Sequence, residues 1–296
     1  MKNIWTLTVN RMRLAMRTPV FLFFSLGMPL VFLFGFCGFF AHGKPYAVPY
    51  LLSSVLALTV MGSFWGLSMQ LVTYREMGIL RRFRLAPVGP GALLASSILS
   101  NYFLTLPTVI AQFLLARWVF HMPQWGNLFG VFVMVTLGTV TFASLGLIVA
   151  SVTNTAQETQ MINQALWFGF LFLSGASVPL PLFPGWLQSV ALYIPATYLV
   201  TGLERVMVPD ESLFRLGPNL LSLAVCAGIA FVISYQLFRW DPGSKAPRRA
   251  KLWATSTILP FVLLGVWETH YGHLRKNAQT DYQSIERQFT LSPAPR

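Results

Sequence analysis

Charge is what this sequence has least of. Only 10% of its 296 residues are Asp, Glu, Lys or Arg, where a soluble domain carries about a quarter. The hydrophobic share is 55% and the mean hydropathy is +0.60. Together these exclude intrinsic disorder and an ordinary soluble enzyme. The length accommodates about two soluble domains, or six to seven membrane helices of ~20 residues; the composition favours the second. Acids are scarcer than bases, 9 against 21, which leaves a net charge of +12. Nucleic acid and a membrane surface both attract such a chain, and the placement of the bases decides between them.

Cysteine and histidine are also scarce. Cys37 and Cys226 lie inside apolar runs and read as buried thiols. No Cys/His spacing suits a metal, no Ser/His/Asp or Cys/His arrangement is credible, and no GxxxxGK[ST] phosphate loop is present. The chain is therefore expected to have no catalytic, cofactor-binding or metal-ligating residues of its own.

What is there is a succession of apolar runs. Residues 1–19 form a basic amphipathic segment in which Ile4, Trp5, Val9, Met12 and Met16 recur at near-helical spacing among Lys2, Arg11, Arg13 and Arg17. That pattern suits a helix lying in the headgroup layer, and Pro19 fits the start of the next helix. The runs follow at Val20–Phe40, Tyr50–Leu71, Leu93–Leu115, Leu128–Ala150, Met161–Leu173 (extended at one or both ends) and Leu220–Phe238. Leu252–Trp267 is a shorter seventh, ~24 Å at the helical rise, bracketed by Trp253 and Trp267 as interface anchors.

The bases fall between the runs. Three clusters land on one side if six helices alternate: Lys2, Arg11, Arg13 and Arg17; Arg75, Arg81, Arg82 and Arg84; Arg239, Lys245, Arg248, Arg249 and Lys251. The positive-inside rule then places the N-terminus in the cytoplasm. Bases beside membrane ends argue for lipid contact and against nucleic acid.

The six runs hold no Asp, Glu, Lys, Arg or His. Ion-coupled transporters rely on intramembrane carboxylates or histidines, so energy for uphill movement has to come from another chain. Asn101, Gln112, Asn163 and Gln164 are candidate path-lining residues, with interhelical hydrogen bonding as the competing role.

Two connectors stand out. Tyr74–Pro90 is basic and partly helical in pattern, with Met77, Leu80 and Phe83 as an apolar stripe and Glu76 as its one acid. It reads as a docking segment for a soluble partner, or as a charge anchor. Ser174–Pro218 is proline-rich, and its two apolar stretches are too short to cross. They are expected to dip into the membrane or lie along its face, tolerated where protein covers the backbone, as an outer cap or gate.

These two segments resemble the ABC-2 type permease subunits of ABC exporters, including the multidrug and antibiotic-resistance branch. Glu76, Gly78, Leu80, Arg81, Arg82 and Pro87 match the stretch between the second and third helices. Ser174, Gly175, Pro179, Leu182, Pro184, Trp186, Leu187, Pro195, Thr197, Tyr198, Gly202 and Leu203 match the outer segment between the fifth and sixth. The resemblance implies an all-α membrane protein: an amphipathic connecting helix (1–19), a six-helix domain with outer re-entrant helices (20–240), and a dimer with a second copy or a sister permease. It implies a separate ABC ATP-binding subunit that carries the ATP and Mg, and a multi-pass place in the bacterial plasma (inner) membrane. Tyr74, Arg75, Glu76, Gly78, Leu80, Arg81, Arg82 and Phe83 would couple to that ATPase. Pro179, Pro184, Trp186, Pro195, Thr197, Tyr198, Gly202 and Glu204 would form the outer gate. The cargo would be an amphipathic or hydrophobic drug, lipid or glycan.

The chain departs from that pattern after Phe238, with a basic linker (241–251), the seventh run (252–267) and a polar tail (268–296). The tail lies outside if the run crosses and in the cytoplasm if it lies flat or doubles back. Two other functional classes stay open: an ATPase-independent carrier or channel, and a structural or signalling membrane protein.

Overall fold

The computed structural model describes residues 2–19, 23–41, 44–83, 89–208, 216–241 and 259–271, with isolated positions 279 and 283. The described residues are helical, with no strand among them. In chain order the helices are α1 (Lys2–Met16), α2 (Met28–Phe40), α3 (Val48–Met61), α4 (Ser63–Glu76), α5 (Ile79–Phe83), α6 (Pro90–Trp118), α7 (Leu128–Val152), α8 (Ala156–Leu173), α9 (Gly185–Ala191), α10 (Pro195–Met207), α11 (Gly217–Gln236) and α12 (Leu259–Tyr271).

Four of these stretches are long and apolar enough to cross a membrane: Pro45–Glu76 (32 residues, α3 and α4 in succession), α6 (29), α7 (25) and α11 (20). The first three contain an expected run whole, and α11 contains all of Leu220–Phe238 except its last two residues. The Val20–Phe40 run is represented by a π-helical turn over Phe23–Gly27 and by α2. The Met161–Leu173 run is extended at its N-terminal end to Ala156. Residues 252–258 of the seventh run lie outside the described residues; the rest is in α12, which continues past Trp267 to Tyr271.

Local chemistry sets the boundaries. Proline occupies the first helical turn of α2, α6, α10 and α11, where its missing N–H costs nothing. Asn127 caps α7 by accepting from Gly130 N at 2.9 Å. Thr155 caps α8 by accepting from Glu158 N at 3.1 Å, while Glu158 accepts from the N–H of Asn154, the residue before the cap, at 2.8 Å.

α7 is the hub. It packs on α3, α4, α6, α8, α10 and α11. Its approach to α4 is close because Gly146 faces backbone: a Cβ there would sit 2.4 Å from Phe64 O. Along α1, the face toward α6 is Thr8, Arg11 and Ala15, while Trp5, Leu14 and Met16 are exposed. Of the apolar residues expected to suit the headgroup layer, Trp5 and Met16 are thus exposed, although Trp5 also meets the Phe103 ring of α6 edge-on.

Candidate functional site

The basic end of the bundle is organised around the C-terminus of α7. A helix ends with unpaired carbonyls and a partial negative charge. Two guanidinium groups converge there from distant parts of the chain. Arg75, buried near the end of α4, donates to Ala150 O at 2.8 Å and Thr153 O at 2.7 Å. Arg239, just beyond α11, donates to Ser151 O at 2.9 Å, Thr153 O at 2.5 Å and Asn154 Oδ1 at 3.1 Å. Burial pushes the Arg239 guanidinium below its ordinary pKa, opposed by Glu158. Next to Arg75, Glu76 is exposed and accepts from Ala156 N, the first residue of α8, at 2.9 Å. The positive N-terminus of α8 favours that carboxylate. The ends of α4, α7, α8 and α11 are therefore joined in one polar node.

The segment after Glu76 leaves this node through a turn. Gly78 has φ +70, the left-handed conformation that glycine adopts without a Cβ penalty. Its N–H donates to Arg75 O at 2.9 Å. α5 follows. Leu80 is fully buried beside Leu67, Leu71, Leu93 and Leu147, with Phe83 packed against the same cluster. Met77 is 67% exposed. The predicted apolar stripe is thus split: Leu80 and Phe83 anchor the segment, while Met77 faces outward. Arg81 and Arg82 are exposed, and Arg81 lies 3.9 Å from Asp241 in a solvent-exposed pair. Tyr74 is half-buried, accepts from Gln70 Nε2 at 3.3 Å and lies 5.8 Å from the Arg11 guanidinium of α1. Arg11 also donates to Ser97. Burial pushes it down to about 10, opposed by Tyr74. Arg84, Ala86 and Pro87 lie outside the described residues.

At the proline-rich end, the short helices α9 and α10 follow one another through a turn over residues 192–194, a hairpin in connectivity whose two helices pack on other elements: α9 on α8, and α10 on α3, α7 and α11. Pro184 precedes α9, whose Trp186 is 69% exposed. Pro179 precedes a 3₁₀ turn over Leu180–Leu182, and Pro195 opens α10. The turn between the helices is closed by Thr197 Oγ1 donating to Ala191 O at 2.7 Å and Tyr198 OH donating to Leu192 O at 2.9 Å. Every α10 residue from Ala196 to Met207, Glu204 included, is buried. α10 packs antiparallel to α7: Leu199 meets Gly138, Gly202 meets Met134, and Val206 meets Gly130. The turn lies deep, with Leu192 and Tyr198 packed on Cys226, halfway along α11, and on Leu145 of α7. Short helices at that depth keep their backbone groups satisfied because protein surrounds them.

The interior polar residues separate into two groups. Gln112 is buried and donates to Thr59 Oγ1 at 2.9 Å and Pro29 O at 3.2 Å. Asn163 is buried and donates to Ser68 Oγ at 2.8 Å. Both tie helices together. Asn101 is half-buried and near Gly66, and Gln164 is exposed on α8. Sequence reasoning missed Ser68, Thr59 and Asn219, which donates to Tyr198 O at 2.8 Å and Thr201 Oγ1 at 2.9 Å. It also missed the structural part of Arg239, visible in the sequence only as one more base after a helix.

The family model described as "ABC-2 family transporter protein" matches residues 41–235. The linearmycin resistance permease protein LnrN of Bacillus subtilis (strain 168) is 25% identical over 150 residues, 51% of this chain and 39% of that protein. The daunorubicin resistance ABC transporter permease protein DrrB1 of Streptomyces coeruleorubidus is 28% identical over 228 residues, 73% of this chain and 77% of that protein. The inner membrane transport permease YhhJ of Escherichia coli (strain K12) is 22% identical over 194 residues, 65% of this chain and 50% of that protein. The chain thus spans less than two thirds of the linearmycin permease and of YhhJ.

Proposed function

Because the chain belongs to the ABC-2 family of transporter proteins, we propose that it is the membrane subunit of an ATP-driven exporter, coupled to a separate ABC ATP-binding subunit. The observation that carries this reading is the polar node. Residues 74–83 contact the core through Leu80. Through Arg75 and Glu76 they hold the end of α7 and the start of α8. α7 packs along α10, whose turn lies at mid-depth. A push on the exposed Met77, Arg81 and Arg82 surface therefore has a contiguous packed route to the hairpin.

In this reading the basic end is cytoplasmic, since basic residues favour that face, and the proline-rich end faces outward in a bacterial inner membrane. The permease hydrolyses nothing; ATP and Mg belong to the partner. A second copy or a sister permease completes the path. The names of the linearmycin and daunorubicin resistance permeases and the lack of charge in the six runs favour an amphipathic or hydrophobic drug-like cargo.

The test is coupling. Membranes bearing this chain and its cognate ATPase are expected to show cargo-stimulated ATP hydrolysis. Glu76→Gln and Arg81→Ala/Arg82→Ala should leave the protein folded and abolish the stimulation. Unchanged stimulation in both variants contradicts the docking assignment.

A further inference from the structure

α12 lies outside the family-matched residues and packs on α11. One side of it is exposed and apolar: Leu259 62%, Leu263 64% and Val266 45%. The other side holds Gly265 and, one turn on, Glu268, which is 1% exposed. Gly265 lies against the ring of Tyr193, in the hairpin turn; a Cβ at 265 would sit 2.5 Å from Cδ1 and 2.9 Å from Cγ of that ring. The depth is set by Leu192 and Tyr198, which pack on Cys226 in the middle of α11. An ionisable side chain near that depth is costly unless it faces protein, and Glu268 does.

We propose that α12 is a strap held against the α9–α10 hairpin, with Gly265 and Glu268 as positioning residues that fix the depth and tilt of its turn. The consequence for transport rests on the permease reading above; the strap itself does not. Gly265 lets the helix backbone approach the Tyr193 ring, which removes the freedom of the turn to sink or rise. Lipid covers the opposite face. The strap stays docked while the hairpin works, so it orients the gate without opening and closing with it.

The test is a cross-link followed by a flux assay. The ideal Cβ at 265 is 2.9 Å from Tyr193 Cγ. One further carbon–carbon bond puts the two Cβ atoms no more than about 4.4 Å apart, within disulfide range. In a chain with Cys37 and Cys226 replaced by Ala and a protease site in the 242–251 linker, Tyr193→Cys/Gly265→Cys is oxidised and cleaved. The fragments should stay joined until reduced, while the Tyr193→Cys/Leu263→Cys control separates. Separation of both pairs, or equal joining of both, overturns the docking. With the cognate ATPase, the cross-linked protein should keep its flux. Gly265→Leu and Glu268→Gln should lose flux while the partner's ATP hydrolysis persists, and Leu263→Ala should change neither. Flux at the level of the unsubstituted chain in Gly265→Leu and Glu268→Gln overturns the positioning role, as does arrest by the cross-link. A cross-link that forms in a chain without ATP-driven flux refutes the permease reading and leaves the docking standing.

Discussion

The arginine pair at the end of α7 makes a prediction with a sign. Arg75 is 3% exposed and makes two charged hydrogen bonds to carbonyls, at 2.8 and 2.7 Å. Such bonds contribute about 1.5–3 kcal/mol each. Arg75→Met keeps the stem's volume and removes the fork. The Thr153 carbonyl, however, still has Arg239 at 2.5 Å, so only the Ala150 carbonyl loses its side-chain donor. The single substitution should cost about 2–3 kcal/mol. Arg239→Met leaves Thr153 O with Arg75 by the same logic, and its partly solvated site reduces the cost to about 1–2 kcal/mol. In the double variant the shared carbonyl has neither donor. The two guanidinium groups also repel each other, a relief that both single variants gain and the double gains once. Both effects have the same sign, so the double variant should exceed the sum of the singles by about 1–3 kcal/mol. The assay is a double-mutant cycle on unfolding in a denaturing-detergent titration. Additivity within about 0.5 kcal/mol refutes the shared-carbonyl account.

Two further substitutions test the packing. Gly146→Ala puts a methyl 2.4 Å from Phe64 O, so α4 and α7 must separate, and thermal stability in detergent should fall by the equivalent of about 1–3 kcal/mol; an unchanged melting temperature argues against the close crossing. Tyr198→Phe removes the 2.9 Å bond to Leu192 O at a cost of about 1 kcal/mol, and protease sensitivity should rise in the α9–α10 turn before the rest of the bundle.

Much of the fold was legible because its signals are local. Apolar runs marked the long helices. The proline punctuation of 174–218, with stretches too short to cross, pointed to short helices that dip into the membrane or lie along its face; α9 and α10 are short, and their turn packs at the level of Cys226. What escaped was long-range. Arg75 and Arg239 are far apart in sequence, and a base beside a membrane end carries the same charge signal whether it faces lipid headgroups or caps a helix. The Met77–Leu80–Phe83 stripe had the right period, but periodicity does not say which face a turn will bury; Gly78 reverses the chain and turns Leu80 and Phe83 inward. Gln112 and Asn163 were recognisable as polar residues in apolar runs, while their partners Thr59 and Ser68 are ordinary residues of their helices until the helices meet.

The most direct test of the account is flux through purified protein. Proteoliposomes containing this chain with its cognate ATP-binding subunit should move an amphipathic drug only when ATP and Mg are supplied on the side of the ATPase. Removing the ATPase, or blocking its hydrolysis, should stop transport. Full transport by this chain with no ATPase present contradicts the account.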